Sequence, residues 1–266
     1  MAEQRLDAAL AARGLARSRT HAAALIADGR VSVDGRGVVK AAAKVSDGQE
    51  LVVAGADHYV SRAAHKLIGA LDAFAVSPEG RVALDAGAST GGFSQVLLER
   101  GAERVIAVDV GHGQLSPELA GEPRLHLVEG FNVRDMTPES LAAASGVDQR
   151  PSLVVADLSF ISLATVLPAL VATGTEEADF VLLVKPQFEV GRGGVREGIV
   201  PDPALRADAV SSVLWNAHDV GLGTAGLVPS PIIGAAGNHE YLAWFSRTAG
   251  RNPTEWSGRV AEMTGA

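Results

Sequence analysis

Two charged residues stand at the ends of apolar runs that have the composition of buried strands. Asp157 follows the run SLVVA, and Lys185 follows the run DFVLLV. Ligands of open α/β sheets bind beyond the carboxyl ends of the strands, so both side chains are expected in one crevice. A lysine in such a place is partly desolvated, and because desolvation disfavours the ammonium form, Lys185 is a candidate base. A plain salt bridge between Lys185 and Asp157 is the alternative, but Lys66 in SRAAHKL and Glu240 in GNHEYL favour the catalytic interpretation.

A glycine-rich loop in VALDAGASTGGFSQVLLER separates a predicted strand from a predicted helix. Glycines let backbone amides approach a ligand closely, and Asp85 before the loop suits a positively charged or hydroxyl-bearing ligand. A triphosphate loop would need lysine where Phe93 follows Gly92, and the G-x-G-x-x-G fingerprint of dinucleotide folds is missing. The remaining pattern, D-x-G-x-x-x-G from Asp85 to Gly91, resembles the first motif of S-adenosylmethionine-dependent methyltransferases. A glycine turn that only packs a helix on a strand is the alternative.

The elements that must position these residues alternate between strand and helix. We predict strands at 81–85, 104–110, 124–130, 152–158, 179–185, 226–233 and 240–245, and helices at 61–74, 93–101 and 203–221. This order is typical of an α/β protein with a parallel sheet covered on both faces. The second strand carries Asp109, about 20 residues beyond the glycine loop, where a carboxylate binds ribose hydroxyls in dinucleotide folds. We expect a long loop at 189–203 and a polar segment that frays after Arg247.

The first 58 residues have a different pattern, with two short helices followed by short strands. Ser18 is a plausible N-cap of the second helix, and Asp34-Gly35 predicts a β-hairpin. Residues 54–58 are predicted to form a short linker. The helical faces are formed by Leu6, Ala9 and Leu10, and by Ala22, Leu25 and Ile26.

Composition limits the class of protein. The 266 residues are 47% hydrophobic, which is enough for a core in one or two domains and rules out disorder as the main state. The net charge of −8 argues against a nucleic-acid partner, but the first 59 residues carry 8 basic and 7 acidic side chains and include a local basic patch. The chain has no cysteine, which excludes thiolate zinc sites and thiol nucleophiles. The N-terminus lacks the apolar region of a signal peptide, and the longest apolar stretch, LATVLPALVA, contains a proline, so we expect a soluble cytoplasmic protein.

The motifs SRAAHKL, DAGASTGGF, ADLSFISL, VKPQFE and GNHEYL resemble the FtsJ-type RNA ribose 2′-O-methyltransferases, and within them the TlyA, or haemolysin A, family. The segment RLDAALAARGLARSRTHAAALIADGRVSVDG resembles the RNA-binding module shared by ribosomal protein S-four and pseudouridine synthases. The resemblance implies a Rossmann-like class I methyltransferase domain at 59–250 with a seven-stranded, mostly parallel sheet. It also implies a small α+β RNA-binding domain at 1–58, and it leaves 251–266 as a polar tail.

The resemblance implies a catalytic tetrad of Lys66, Asp157, Lys185 and Glu240. A ribose hydroxyl must lose its proton as the methyl group moves in line from sulfur to oxygen, which requires a positioned base. Our hypothesis is that Lys185 is the base, that Lys66 holds the hydroxyl and favours the neutral amine, and that the two carboxylates orient the amines. The implied cofactor is S-adenosylmethionine, bound by Asp85, Gly87, Ser89, Thr90, Gly91, Gly92, Phe93, Asp109, Asp157, and Asn132 or Asp135 at the adenine edge. Ser89 and Thr90 could instead cap the next helix.

The implied partner is ribosomal RNA in one or both ribosomal subunits, with cytidine ribose as the expected acceptor. Candidate contacts to phosphates are Arg13, Arg17, Arg19, Arg30, Arg62, Arg192 and Arg196, each of which could instead be only solvated. Phe160 or Phe188 could stack on a base or lie in the core. The seven histidines show no metal spacing, so we expect no metal. The sequence leaves the oligomeric state open, with a monomer as the default.

Three other functions compete with this one. A methyltransferase of exocyclic amines would be expected to show N/D-P-P-Y/F where this chain has DLSF, so amine methylation is disfavoured. A membrane-lytic protein would need a spanning segment or a basic amphipathic helix, and the sequence has neither. A non-catalytic ribosome-binding factor on a methyltransferase fold is the third alternative, and the complete tetrad argues against it.

Overall fold

The computed structural model describes residues 3–16, 18–27, 30–38, 40–53, 58–234 and 237–266. Arg17, the side chain of Arg192 and residues 54–57 of the predicted linker lie outside this description. Contacts divide the chain into two compact units, Met1–His58 and Tyr59–Ala266.

The N-terminal unit packs two short helices on short strands. Its apolar core contains the buried faces of both predicted helices, and the Ser18 hydroxyl accepts a hydrogen bond from the His21 amide at 3.1 Å, as an N-cap does. Asp34 (φ 49°) and Gly35 (φ 76°) are both left-handed, which the predicted hairpin requires. Strands β1 and β4 pair with each other, and β2 pairs with β3 and β5. The bounds are β1 Glu3–Arg5, α1 Leu6–Ala12, α2 Arg19–Ala27, β2 Val31–Val33, β3 Arg36–Gly37, β4 Lys44–Ser46 and β5 Leu51–Val53.

In the described part of the C-terminal unit, seven strands form one sheet in the order β11-β12-β10-β9-β6-β7-β8. Neighbouring strands from β10 through β8 are parallel, and β12 runs antiparallel to both of its neighbours. The strand order reverses between β6 and β9, which is the point where open α/β sheets bind ligands. The bounds are β6 Val82–Ala86, β7 Arg104–Asp109, β8 Leu125–Glu129, β9 Leu153–Ala156, β10 Asp179–Val184, β11 Gly223–Pro229 and β12 Tyr241–Ser246.

Helices cover both faces of this sheet. Consecutive residues of β10 alternate between two cores: Phe180 and Leu182 face one, and Val181 and Leu183 face the other. This alternation explains why the strand is apolar throughout, since both of its faces are buried. The bounds are α3 Ala64–Phe74, α4 Gly92–Glu99, α5 Pro138–Ser145, α6 Leu163–Thr173, α7 Pro186–Glu189, α8 Pro203–Asp219 and α9 Ser257–Thr264.

The structure corrects the prediction of a fraying C-terminal tail. Residues 253–256 form a 3-10 helix that leads into α9, and Val260 is buried. The Trp256 indole donates to the Thr224 carbonyl oxygen at 3.1 Å, and Trp256 and Met263 pack against the sheet's core. The segment folds because Trp256, Val260 and Met263 recur at helical spacing, a pattern that its polar composition concealed.

Candidate active site

Four charged side chains from four separate elements meet in one chain of ion pairs. Lys185 Nζ lies 2.6 Å from Asp157 Oδ1, and Lys66 Nζ lies 3.4 Å from Asp157 Oδ2. Lys66 Nζ also lies 2.6 Å from Glu240 Oε2. Lys66, Lys185 and Glu240 are 6%, 8% and 5% exposed. Burying four charges is costly unless they compensate each other, and this set contains two cations and two carboxylates.

The topology explains how the four residues converge. Asp157 and Lys185 directly follow β9 and β10, so both lie at the carboxyl edge of the parallel strands. Glu240 directly precedes β12, and because β12 is antiparallel its beginning lies at the same edge. Lys66 projects from the first turn of α3, whose other buried residues pack on the sheet.

This cluster opens onto a cavity of about 230 Å³, which we call the acceptor cavity. The salt bridge between Lys185 and Asp157 is present, but the cavity places it in a site and not in a closed core. The lining residues are Ser61, Arg62, Ala63, Lys66, Gly87, Ala88, Ser89, Thr90, Gly92, Phe93, Asp157, Ser159, Lys185 and Glu240.

A second cavity of about 540 Å³, which we call the cofactor cavity, shares Gly87, Ser89, Asp157 and Ser159 with the acceptor cavity. The two cavities therefore meet at the carboxyl ends of β6 and β9. The lining residues are Gly87, Ser89, Asp109, Val110, Gln114, Phe131, Asn132, Val133, Asp157, Leu158, Ser159, Phe160, Ile161 and Val166.

Asp109 is oriented by the backbone on both sides of it. Its Oδ2 accepts from the Ser89 amide at 2.8 Å, and its Oδ1 accepts from the Gly111 amide at 2.7 Å. Ser89 itself is left-handed (φ 47°), and its hydroxyl donates to Gln114 Oε1 at 3.1 Å. The carboxylate is thus fixed at the cavity wall, with lone pairs left for a hydroxyl-bearing ligand.

Most of the predicted cofactor residues line one of the two cavities. Gly87, Ser89, Asp109, Asn132 and Asp157 line the cofactor cavity. Thr90, Gly92 and Phe93 line the acceptor cavity instead, while Gly91 lines neither cavity and Asp135 is exposed away from both. Gly91 is the N-cap of α4 without a side-chain bond, so capping by Ser89 or Thr90 is not what the structure shows.

Asp85 lies outside both cavities, contrary to its prediction as a ligand residue. Strand β6 continues to Ala86, so Asp85 pairs within the sheet and does not end the strand. It is 0% exposed, and the Ser94 hydroxyl donates to its Oδ2 at 2.7 Å, while Oδ1 has no hydrogen-bond partner among the described residues. Burial raises the pKa of Asp85 to about 7.

The predicted RNA-binding arginines have different surroundings. Arg62 and Arg196 are exposed, and Arg62 lines the acceptor cavity. The Arg13 guanidinium donates to three carbonyl oxygens of residues 46, 47 and 49, which is a structural role that the sequence did not indicate. Arg19 is 61% exposed and lies 3.3 Å from Asp7, and Arg30 is half-buried.

Phe160 is 91% exposed and left-handed (φ 65°), so it does not belong to the core. Its ring lies 5.2 Å from the half-buried Phe188 ring, and it lines the cofactor cavity. An exposed aromatic ring in a strained backbone conformation is rare without a function.

Sequence reasoning missed Ser159 and Gln114. The Lys185 ammonium donates to Ser159 Oγ at 2.9 Å, and Gln114 bridges to Ser89 across the cofactor cavity. Ser159 could have been found as the second residue after Asp157 in ADLSFISL, but nothing in the sequence marks Gln114.

The described residues contain neither a membrane-spanning helix nor a cluster of metal ligands. No helix in this part of the chain is both long and apolar enough to cross a membrane. Within the same residues, no group of three or more His, Asp or Glu side chains could hold a metal ion.

Comparisons with known proteins agree with this geometry. Residues 59–247 match the model of the FtsJ-like methyltransferases, and residues 4–51 match the S4 domain. The chain is 53% identical to the 16S/23S rRNA (cytidine-2′-O)-methyltransferase TlyA of Mycobacterium tuberculosis, over 91% of this chain and 89% of that one. It is 39% identical to Hemolysin A of Brachyspira hyodysenteriae, over 91% and 99% of the two chains.

A solved structure described as a hemolysin from Streptococcus thermophilus is 37% identical, with a TM-score of 0.77 over 99% of this chain and 96% of that one. The matched relatives therefore share both the fold and nearly the whole length of the chain. The chain belongs to the FtsJ-like methyltransferase family, as a TlyA-type member with an S4 domain ahead of its methyltransferase domain.

Proposed function

We propose that the protein transfers a methyl group from S-adenosylmethionine to the 2′-hydroxyl of a cytidine in ribosomal RNA. The observation that carries the proposal is the junction of the two cavities, where the ion-paired Lys185 and Asp157 face the glycine loop. The names of the relatives, rRNA (cytidine-2′-O)-methyltransferases among them, support the same acceptor.

The cofactor cavity has the donors and acceptors that S-adenosylmethionine needs. Asp109 would accept the ribose hydroxyls, Asn132 would lie at the adenine, and the backbone at Gly87 and Ser89 would hold the methionine end. When bound, the cofactor supplies an electrophilic methyl group on a sulfonium. A side chain at Gly87 would lie 3.0 Å from the Asp157 carbonyl oxygen, so glycine keeps this passage between the cavities open.

In the acceptor cavity, Lys185 removes the proton of the 2′-hydroxyl as the methyl group arrives in line. Asp157 holds Lys185 at 2.6 Å and also pairs with Lys66, which directs its ammonium toward the incoming oxygen. Glu240 fixes Lys66 from the other side at 2.6 Å. The set stays neutral overall, so the buried charges do not repel the cationic sulfonium.

The acceptor cavity is small, which implies that the target nucleotide leaves its base stack to place its ribose there. The exposed Phe160 ring is then a surface on which the released base stacks. Arg62 and Arg196 are available for the backbone phosphates, and the S4 domain adds a second RNA contact. These contacts position the RNA and do not by themselves select the subunit.

The test is nucleoside mass spectrometry on isolated small and large ribosomal subunits after incubation with S-adenosylmethionine. We compare the unaltered protein with Lys185→Ala and Lys185→Arg. Arginine keeps the positive charge beside Asp157 but cannot act as a base, so it separates the two roles of the lysine.

We expect new 2′-O-methylcytidine with the unaltered protein, none with either variant, and cofactor affinity that changes less than about threefold. The subunit that gains the nucleoside defines the specificity. No methylated nucleoside with intact cofactor binding would contradict the proposal and favour the non-catalytic ribosome-binding alternative. Retained turnover in Lys185→Arg would contradict the role of Lys185 as base.

A further inference from the structure

Ser159 is a neutral polar side chain in direct contact with the proposed base. Its Oγ lies 2.9 Å from Lys185 Nζ, and the residue lines both cavities at their junction. Its hydroxyl takes part in neither the proton transfer nor the methyl transfer proposed above.

The hydrogen-bonding positions of the Lys185 amine give Ser159 a function. A neutral lysine amine has two N–H groups and one lone pair in a tetrahedral arrangement. Asp157 Oδ1 accepts one N–H, at 2.6 Å, and Ser159 Oγ accepts the second. With both N–H groups taken, the lone pair has only the third direction left.

That third direction is limited by a further neighbour. The centroid of the Phe188 ring lies 5.9 Å from Lys185 Nζ, and the ring covers part of the remaining space around the amine. The open part is the acceptor cavity, which Lys185, Asp157 and Ser159 all line. Without Ser159, the amine could rotate about its Cε–Nζ bond and turn its lone pair away from the substrate.

The position of Ser159 relative to Lys185 is fixed by a second contact between the same two segments. The Ser162 hydroxyl donates to Glu189 Oε2 at 2.6 Å, and the Leu163 amide donates to Glu189 Oε1 at 2.9 Å. Glu189 ends the short helix α7 that starts directly after Lys185. The loop that carries Ser159 is therefore attached to the segment that carries Lys185.

We infer that Ser159 is a positioning residue: its hydroxyl oxygen accepts one N–H of the Lys185 amine and thereby directs the amine's lone pair at the ribose hydroxyl. This inference rests on the proposed function. It differs from a packing role, because it depends on the hydroxyl and not on the size of the side chain.

A matched pair of variants separates these two roles. Ser159→Thr keeps a hydroxyl, and Ser159→Val has nearly the same shape as the threonine variant without one. Ser159→Ala completes the set as the smallest change at this exposed position. The measurements are the single-turnover rate of methyl transfer to ribosomal subunits, and the Kd for S-adenosylmethionine and for the subunits.

We expect the transfer rate of Ser159→Val and Ser159→Ala to fall by about 10- to 100-fold, which is the scale of a misoriented reacting group. We expect Ser159→Thr to stay within about threefold of the unaltered protein, and both Kd values to change less than about twofold in every variant. Equal rates for the Thr and Val variants would overturn the inference, as would a rate loss that follows a weaker Kd. If the unaltered protein itself transfers no methyl group, the proposed function fails and the inference fails with it.

Discussion

Gly234 provides a sharp test of whether Glu240 has to hold Lys66. A Cβ at position 234 would lie 2.6 Å from Glu240 Cδ and 3.1 Å from Cγ, where ordinary contact begins at 3.4 Å. Gly234→Ala therefore has to displace the Glu240 carboxylate by about 0.8 Å. The ion-paired cluster leaves no slack for this displacement, because the carboxylate lies only 2.6 Å from Lys66 Nζ.

The size of the effect follows from that displacement. A shift of about 1 Å in a positioning group costs on the order of 100-fold in rate. We expect the rate of methyl transfer by Gly234→Ala to fall by about 30- to 100-fold. The cofactor cavity does not include Gly234 or Glu240, so the affinity for S-adenosylmethionine is expected to stay within about twofold.

The assay is single-turnover transfer of labelled methyl groups to ribosomal subunits, with cofactor affinity measured by calorimetry. Gly258→Ala is the matched control, since a Cβ at Gly258 meets nothing within 4 Å and its backbone is not left-handed. A transfer rate for Gly234→Ala equal to that of Gly258→Ala would refute the reasoning that Glu240 must hold Lys66 at this distance.

Three further predictions concern the contacts of buried or bridging groups. Asp109→Asn replaces one of two acceptor oxygens by a donor that faces a backbone amide, so the Kd for S-adenosylmethionine should rise by about 10- to 100-fold in calorimetry, and an unchanged Kd would contradict the role of Asp109. The pKa of Asp85 is raised to about 7, so folding favours its protonated form and its contribution to stability falls as pH rises from about 4 to 7; urea unfolding should show Asp85→Asn gaining roughly 2–3 kcal/mol on the unaltered protein between pH 5 and pH 8, and a constant difference would contradict the assignment. Glu189→Ala leaves the Ser162 hydroxyl and the Leu163 amide without their acceptor, so the free energy of unfolding should fall by about 1–3 kcal/mol, whereas no change would show that water replaces the carboxylate.

The sequence was most informative where chemistry and strand ends coincide. Asp157 and Lys185 could be placed together from the rule for parallel strands alone, and both follow their strands as that rule requires. Glu240 could be placed only by resemblance, because it precedes its strand and joins the site through the antiparallel direction of β12. No local pattern announces that direction.

Errors arose where a one-residue boundary decides the environment. Asp85 was expected at a strand end, but β6 includes Ala86, and this single residue moves the carboxylate from the cavity wall into the sheet. Gln114 could not have been found, since its contact with Ser89 joins two loops whose approach depends on the whole fold.

The antiparallel strand also bears on the order in which the site is built during folding. Strands β6 to β9 join neighbours through short connections, whereas β12 has to insert between β10 and β11, and β11 reaches the sheet only through β12. Contacts that close longer loops form later, because the entropy of closure is lost before the contact is gained. We therefore expect the half of the sheet that carries Asp109 to be assembled before Glu240 arrives, so that a folding chain acquires its cofactor wall earlier than its means of handling a proton.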